Sequence, residues 1–112
     1  MSKYYVKTLN KTGYALSEVL DYITEAFIKD SKNARLPVLE IGAAFGVVVL
    51  ECLNNGATVI ANDIDPNHLK VIQEKCPENN GKNLILLSGD FENLNILENS
   101  LSAILCCRVI HF

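Results

Sequence analysis

Apolar and polar positions along this chain fall into short blocks whose period changes from one block to the next. From Pro37 onward, tight apolar runs alternate with longer stretches in which apolar residues recur every three or four positions. The first kind of block reads as a strand buried on both faces, the second as an amphipathic helix packed on a sheet. Val38, Leu39 and Ile41 end the first strand, and Pro37 opens it where a missing N–H costs little. Gly42 to Gly46 then reads as a tight turn, and a helix runs from Val47 to Leu53 until Asn54, Asn55 and Gly56 stop it. Thr58 to Asn62 is a second short strand. Asp65 and Pro66 open the next helix as N-cap and first helical residue; it runs to about Cys76, buries Leu69, Val71 and Ile72, and is ended by Pro77. After a loop from Glu78 to Asn83, Leu84 to Leu87 is a third strand, with Gly89, Asp90 and Phe91 directly behind it. Glu92 to Asn99 has too few apolar positions to predict a helix, and Leu101 to Cys107 is a fourth apolar run that reads as an interior strand.

Upstream, residues 1–16 are polar and lysine-bearing with a turn at Thr12 and Gly13, and the expectation is a flexible lead-in. Ser17 is placed to cap a helix in which Val19, Leu20, Ile23, Ala26 and Phe27 recur at helical spacing. The pattern predicts a single α/β domain over residues 17–112, Rossmann-like and doubly wound around a mainly parallel sheet with right-handed crossovers.

Composition narrows the function classes. At 112 residues, 49% hydrophobic and 21% charged, the chain is an ordinary globular domain able to bury its own core. A net charge of −3 and the lack of a basic stripe argue against a nucleic-acid face. No stretch approaches the roughly 20 apolar residues of a membrane span, and the N-terminus lacks the apolar core of a secretion signal. Cys52, Cys76, Cys106 and Cys107 have no C-x-x-C spacing, so they read as reduced thiols of a cytoplasmic protein, and no metal site is expected.

The candidate chemistry collects where the strands end. A side chain at Gly42 or Gly46 would hinder both the sharp turn and a close approach to a ligand. Glu40 sits two positions before Gly42, at the carboxyl end of a strand, where open α/β sheets bind ligands. There it attracts a cation and repels a pyrophosphate, although it reads equally as the first solvated residue after a buried strand. Asp63 follows Gly42 by about twenty residues, the separation at which an acid on the second strand accepts from ribose hydroxyls. Its bland reading is a strand-end acid beside the helix cap Asp65. A nicotinamide fingerprint fits poorly, because its second and third glycines would fall on Ala44 and Val47. A ligand with an adenine, a ribose and a cationic amino-acid tail fits better.

In this order, VLEIGAAFG, VIANDIDP, LLSGDF and SAILCCRVIHF resemble the N-terminal part of a class I S-adenosylmethionine-dependent methyltransferase, over Val38 to Phe112. The resemblance implies S-adenosylmethionine as cofactor. Glu40 and the turn Gly42, Ala43, Ala44, Phe45 and Gly46 would hold its methionine part. Asp63, with Ile64 beside it, would bind the ribose hydroxyls, Asp90 and Phe91 would flank the adenine, and Cys107 would lie near the sulfonium. Arg108 and His111 would face the methyl acceptor, where His111 is suited to act as a base at neutral pH. A histidine near a strand end is more often a surface or packing residue.

Two departures from the family's pattern follow. Ala44 stands where a middle glycine is usual, which is tolerable only if the backbone there does not need positive φ. The family's sheet also continues beyond the fourth strand, so the expectation here is a cofactor-binding half truncated to about four strands, acting on an unidentified acceptor. The fold also suits a non-catalytic module that holds an adenosine ligand or docks a partner, and, less well, a nicotinamide-dependent oxidoreductase. The apolar fourth strand carries no edge protection from Ala103 to Cys107, so self-association through the Leu101 to Phe112 region is expected.

Overall fold

The computed structural model describes residues 5–9, 15–19, 22–44, 46–96 and 99–106. In chain order the elements are β1 (Tyr5–Leu9), β2 (Ala15–Val19), α1 (Tyr22–Ser31), β3 (Val38–Ile41), α2 (Val47–Asn54), β4 (Val59–Asp63), α3 (Pro66–Lys75), β5 (Leu84–Ser88) and β6 (Ala103–Cys106). A single 3-10 turn, Phe91–Asn93, follows β5. The last four strands form one sheet in the order β5-β4-β3-β6, and every neighbouring pair is parallel. This is the Rossmann-like α/β arrangement that the alternation of blocks predicts.

Strand alternation sorts the sheet into two faces. Val38 of β3, Val59 and Ala61 of β4, Leu84 of β5 and Leu105 of β6 share one core with Phe27 and Ile28 of α1, Val48, Val49, Cys52 and Leu53 of α2, and Leu69 and Ile72 of α3. All three helices therefore cover the same face. On the other face, Ile85, Ile60, Leu39 and Ile104 stand in register across the sheet. β6 is paired with β3 on one side, and no described strand lies on its other side.

Local chemistry explains the boundaries. Asp65 caps α3 by accepting from the Asn67 N–H at 2.9 Å, and Pro66 is the first helical residue, as the sequence predicts. Val71 is half-buried, while Leu69 and Ile72 are core. The Cys76 thiol closes the far end by donating to the Ile72 carbonyl at 3.0 Å. At the start of the sheet, Ser102 joins β6 to β3, its N–H donating to the Pro37 carbonyl and its hydroxyl accepting from the Leu36 N–H, both at 2.9 Å.

The N-terminal third differs from expectation. Tyr5–Leu9 and Ala15–Val19 pair antiparallel with Tyr5 opposite Val19, so strands occupy the segment read as a lead-in, and the boundary expected after residue 16 falls inside β2. Ser17 is a strand residue and caps no helix; α1 begins at Tyr22. Its buried face is Thr24, Phe27, Ile28 and Ser31, whereas Ile23 and Ala26 are exposed. Among the described residues, no helix is long and apolar enough to cross a membrane.

Candidate functional site at the strand ends

The carboxyl ends of β3, β4 and β5 meet around two consecutive residues, Asn62 and Asp63. Both are buried at the end of β4. The turn after β3 is hung on them: the Ala43 N–H donates to the Asn62 carbonyl at 2.8 Å, and the Ala44 N–H donates to Asp63 Oδ2 at 2.8 Å. The end of β5 is hung on the same pair. Asn62 Nδ2 donates to the carbonyls of Leu87 at 2.9 Å and Gly89 at 3.0 Å, and the Gly89 N–H donates to the Asp63 carbonyl at 3.0 Å. A buried amide must spend its donors, and here one goes to the end of β5 and the other to the loop behind it, which carries Asp90 and Phe91. Asn62 is a site-building residue that the sequence reading did not single out; its one signal is an amide inside an apolar strand run.

The turn takes positive φ at Gly42 (75°), Ala44 (50°) and Gly46 (85°). Ala44 therefore occupies the conformation in which its methyl group is least welcome, at a cost on the order of 1–2 kcal/mol. Gly46 needs its missing side chain for packing as well. A Cβ there would stand 2.7 Å from Cγ1 of Ile72, so the empty space at Gly46 lets α3 pack against the start of α2. This packing adds a further reason to the sharp turn and close ligand approach read from the sequence.

Asp63 has three donors among the described residues. Oδ2 accepts from Ala44, and Oδ1 accepts from the Asp65 N–H at 2.9 Å and faces Nδ1 of His68 at 3.0 Å. His68 lies on the first turn of α3, and its other ring nitrogen is 3.5 Å from Asp65 Oδ2. The sequence reading also passed over His68; its signal is the spacing of three from Asp65, which puts both on one side of the helix start.

Glu40 is inside β3 rather than beyond it, paired with Ala61 and Leu105 and only 8% exposed, which removes the reading of a solvated strand-end acid. Burial, and after it the charges of Glu40 and Glu51, push the Cys52 thiol up to about 11 against a Ser31 hydrogen bond that lowers it. Asp90 Oδ1 accepts from the Glu92 N–H at 3.0 Å and so caps the turn that holds Phe91. Phe91 is 46% exposed and Ile64, next to Asp63, is 73% exposed. Ile64 thus stands out beside the buried Asp63, and Phe91 beside Asp90, which is itself exposed. Phe45, Cys107, Arg108 and His111 lie outside the described residues.

Residues 38–112, more than half of the chain, match the family described as a methyltransferase domain. The chain belongs to the methyltransferase domain family. Its fold agrees with the class I, S-adenosylmethionine-dependent members, and the region matched is the one that begins at β3 and includes Asn62, Asp63 and Asp90. Among solved structures, it is similar to a candidate RNA methyltransferase from Pyrococcus horikoshii, with 24% identity, 66% of this chain and 40% of that one covered, and a TM-score of 0.56. It is similar also to the glycopeptide N-methyltransferase MtfA complexed with sinefungin (19% identity, 76% and 35% covered, TM-score 0.60). A candidate S-adenosyl-L-methionine-dependent methyltransferase from Methanococcus maripaludis aligns with 17% identity, 75% and 39% covered, and a TM-score of 0.61. The aligned region is therefore two fifths or less of each of these chains. No curated protein matches it.

Proposed function

We propose that this methyltransferase domain binds S-adenosylmethionine at the ends of β3, β4 and β5 and serves methyl transfer to an acceptor still to be identified. The observation that carries the reading is Asp63: a buried carboxylate held by the glycine turn, with acceptor capacity left on Oδ2. A carboxylate oxygen takes about two hydrogen bonds, and among the described residues Oδ2 receives one. A ribose hydroxyl fits there. Ile64 and Phe91 offer apolar surface to an adenine, with Asp90 beside them. Glu40, two residues before Gly42, adds negative charge near the turn, which suits a sulfonium with an amino-acid tail and opposes a pyrophosphate. The cofactor, when bound, supplies an electrophilic methyl group on sulfur. The protein's own task is to hold that group in place for an incoming nucleophile, since positioning supplies a large share of such a rate. The described cysteines are free thiols, two of them buried, which supports a reducing, cytoplasmic setting.

Titration calorimetry with S-adenosylhomocysteine and with NAD tests the reading. S-adenosylhomocysteine is expected to bind and NAD is not. Asp63→Ala should weaken the former by about 1.5–3 kcal/mol, roughly tenfold to a hundredfold. Equal affinity of the variant, with its circular dichroism unchanged, would sink the assignment.

A further inference from the structure

We infer that His68 restricts Asp63 to a single ribose hydroxyl. The inference rests on the cofactor reading above and concerns how that site reads its ligand. A carboxylate is suited to a vicinal diol because each of its oxygens can take one hydroxyl. In this protein Oδ1 is already used by two donors: the Asp65 N–H at 2.9 Å and Nδ1 of His68 at 3.0 Å. A carboxylate only accepts, so the ring nitrogen facing it carries the hydrogen. Two donors fill the acceptor capacity of one carboxylate oxygen. Among the described residues Oδ2 holds one donor, the Ala44 N–H at 2.8 Å, which leaves room for one more.

His68 is well placed to keep Oδ1 closed. Its backbone is fixed in the first turn of α3, where its N–H donates to the Asp65 carbonyl at 3.1 Å. Its ring is held at Nδ1 by Asp63 at 3.0 Å, a contact that swinging away forfeits. The ring is not core filling, since 21% of the side chain remains exposed. Nor does Asp63 need it for alignment, because backbone N–H groups on each side already hold both oxygens. What His68 adds is occupation of Oδ1, and its consequence is a choice between the two hydroxyls of the ribose.

The experiment is calorimetric titration of S-adenosylhomocysteine and its 2′-deoxy and 3′-deoxy analogues against the wild-type chain, His68→Leu and His68→Gln. In the wild type, one analogue should bind within about twofold of the parent and the other about tenfold or more weaker, the loss of one hydrogen bond to a charged group. In His68→Leu, both analogues should fall behind the parent, because Oδ1 is open to the second hydroxyl. Glutamine retains a donor and should restore the wild-type pattern. A purely structural role for His68 would shift all three ligands together and leave their ratios alone, which overturns the inference. So would a wild type in which both analogues lose equally, a result that needs no variant to fold. If S-adenosylhomocysteine itself does not bind, or if Asp63→Ala binds as the wild type does, the cofactor reading fails and this inference falls with it.

Discussion

The Ala44 N–H reaches Asp63 Oδ2 at 2.8 Å from a backbone at φ 50°, so the hydrogen bond that joins the β3 turn to the end of β4 is made by a residue in glycine's conformation. The methyl group contributes strain without which the same bond would still form. Ala44→Gly is therefore expected to stabilise the chain by about 0.5–1 kcal/mol, the relief of left-handed strain less the added entropy of a glycine in the unfolded state. Urea denaturation read by circular dichroism measures it. A lower midpoint would show that the methyl group is held by contacts worth more than the strain.

Gly46 and Gly56 share φ 85° but not their surroundings. A Cβ at Gly46 meets Ile72 at 2.7 Å, while nothing lies within 4 Å of one at Gly56. Gly56→Ala should cost only the conformational term, about 1 kcal/mol. Gly46→Val adds overpacking against a fully buried isoleucine and should cost about 2–5 kcal/mol in all. Comparable losses in the two variants would mean that the approach of α3 is not what requires a glycine at Gly46.

Cys52 supplies an alkaline limit to stability. Its thiol is pushed from 9.0 to about 11 in the folded protein, chiefly by burial. Between those values the unfolded chain releases a proton that the folded chain keeps, so stability is fully present below about pH 9 and declines as pH rises toward 11. The full loss is on the order of 3 kcal/mol. Cys52→Ala should flatten this decline, leaving a smaller slope from Cys76, whose thiol burial also raises. Urea midpoints from pH 8 to about 11 for the two proteins would test it; parallel curves would remove Cys52 as the cause.

The β6 edge is expected to pair with a second copy of itself. Ala103–Cys106 has β3 on one side, no lysine or proline, and an Ile104 side chain that is 58% exposed. Unpaired backbone groups next to exposed apolar surface template pairing, and two equal edges close by two-fold symmetry. Light scattering coupled to gel filtration, under reductant so that Cys106 cannot cross-link, should show a dimer or larger species, and Ile104→Lys should lower it. A monomer at high concentration would refute the pairing.

Much of the site was legible in the chain because its chemistry is local. The strand ends, the turn from Gly42 to Gly46, the cap at Asp65 and the acid at Asp63 each depend on residues within a few positions, and so they carry their own pattern. Helix α1 was misplaced because its register depends on where β2 stops, and β2 exists only through pairing with β1. Asn62 and His68 were passed over for a related reason: an amide or an imidazole acquires its role from the carbonyl or carboxylate that another segment brings to it.

The sequence by itself determined that a parallel sheet would place Glu40, Asp63 and Asp90 along one edge, since strand periodicity and turn residues fix where each acid falls. Only the tertiary structure decided what those acids face. Glu40 is buried because β4 and β6 flank it, Gly46 is bare because Ile72 of α3 comes close, and Asp63 keeps one oxygen more open than the other because Ala44, Asp65 and His68 converge on it. Hydrogen-bond capacity is a property of a residue, but its use depends on which distant donors folding delivers, and no local pattern along the chain encodes that.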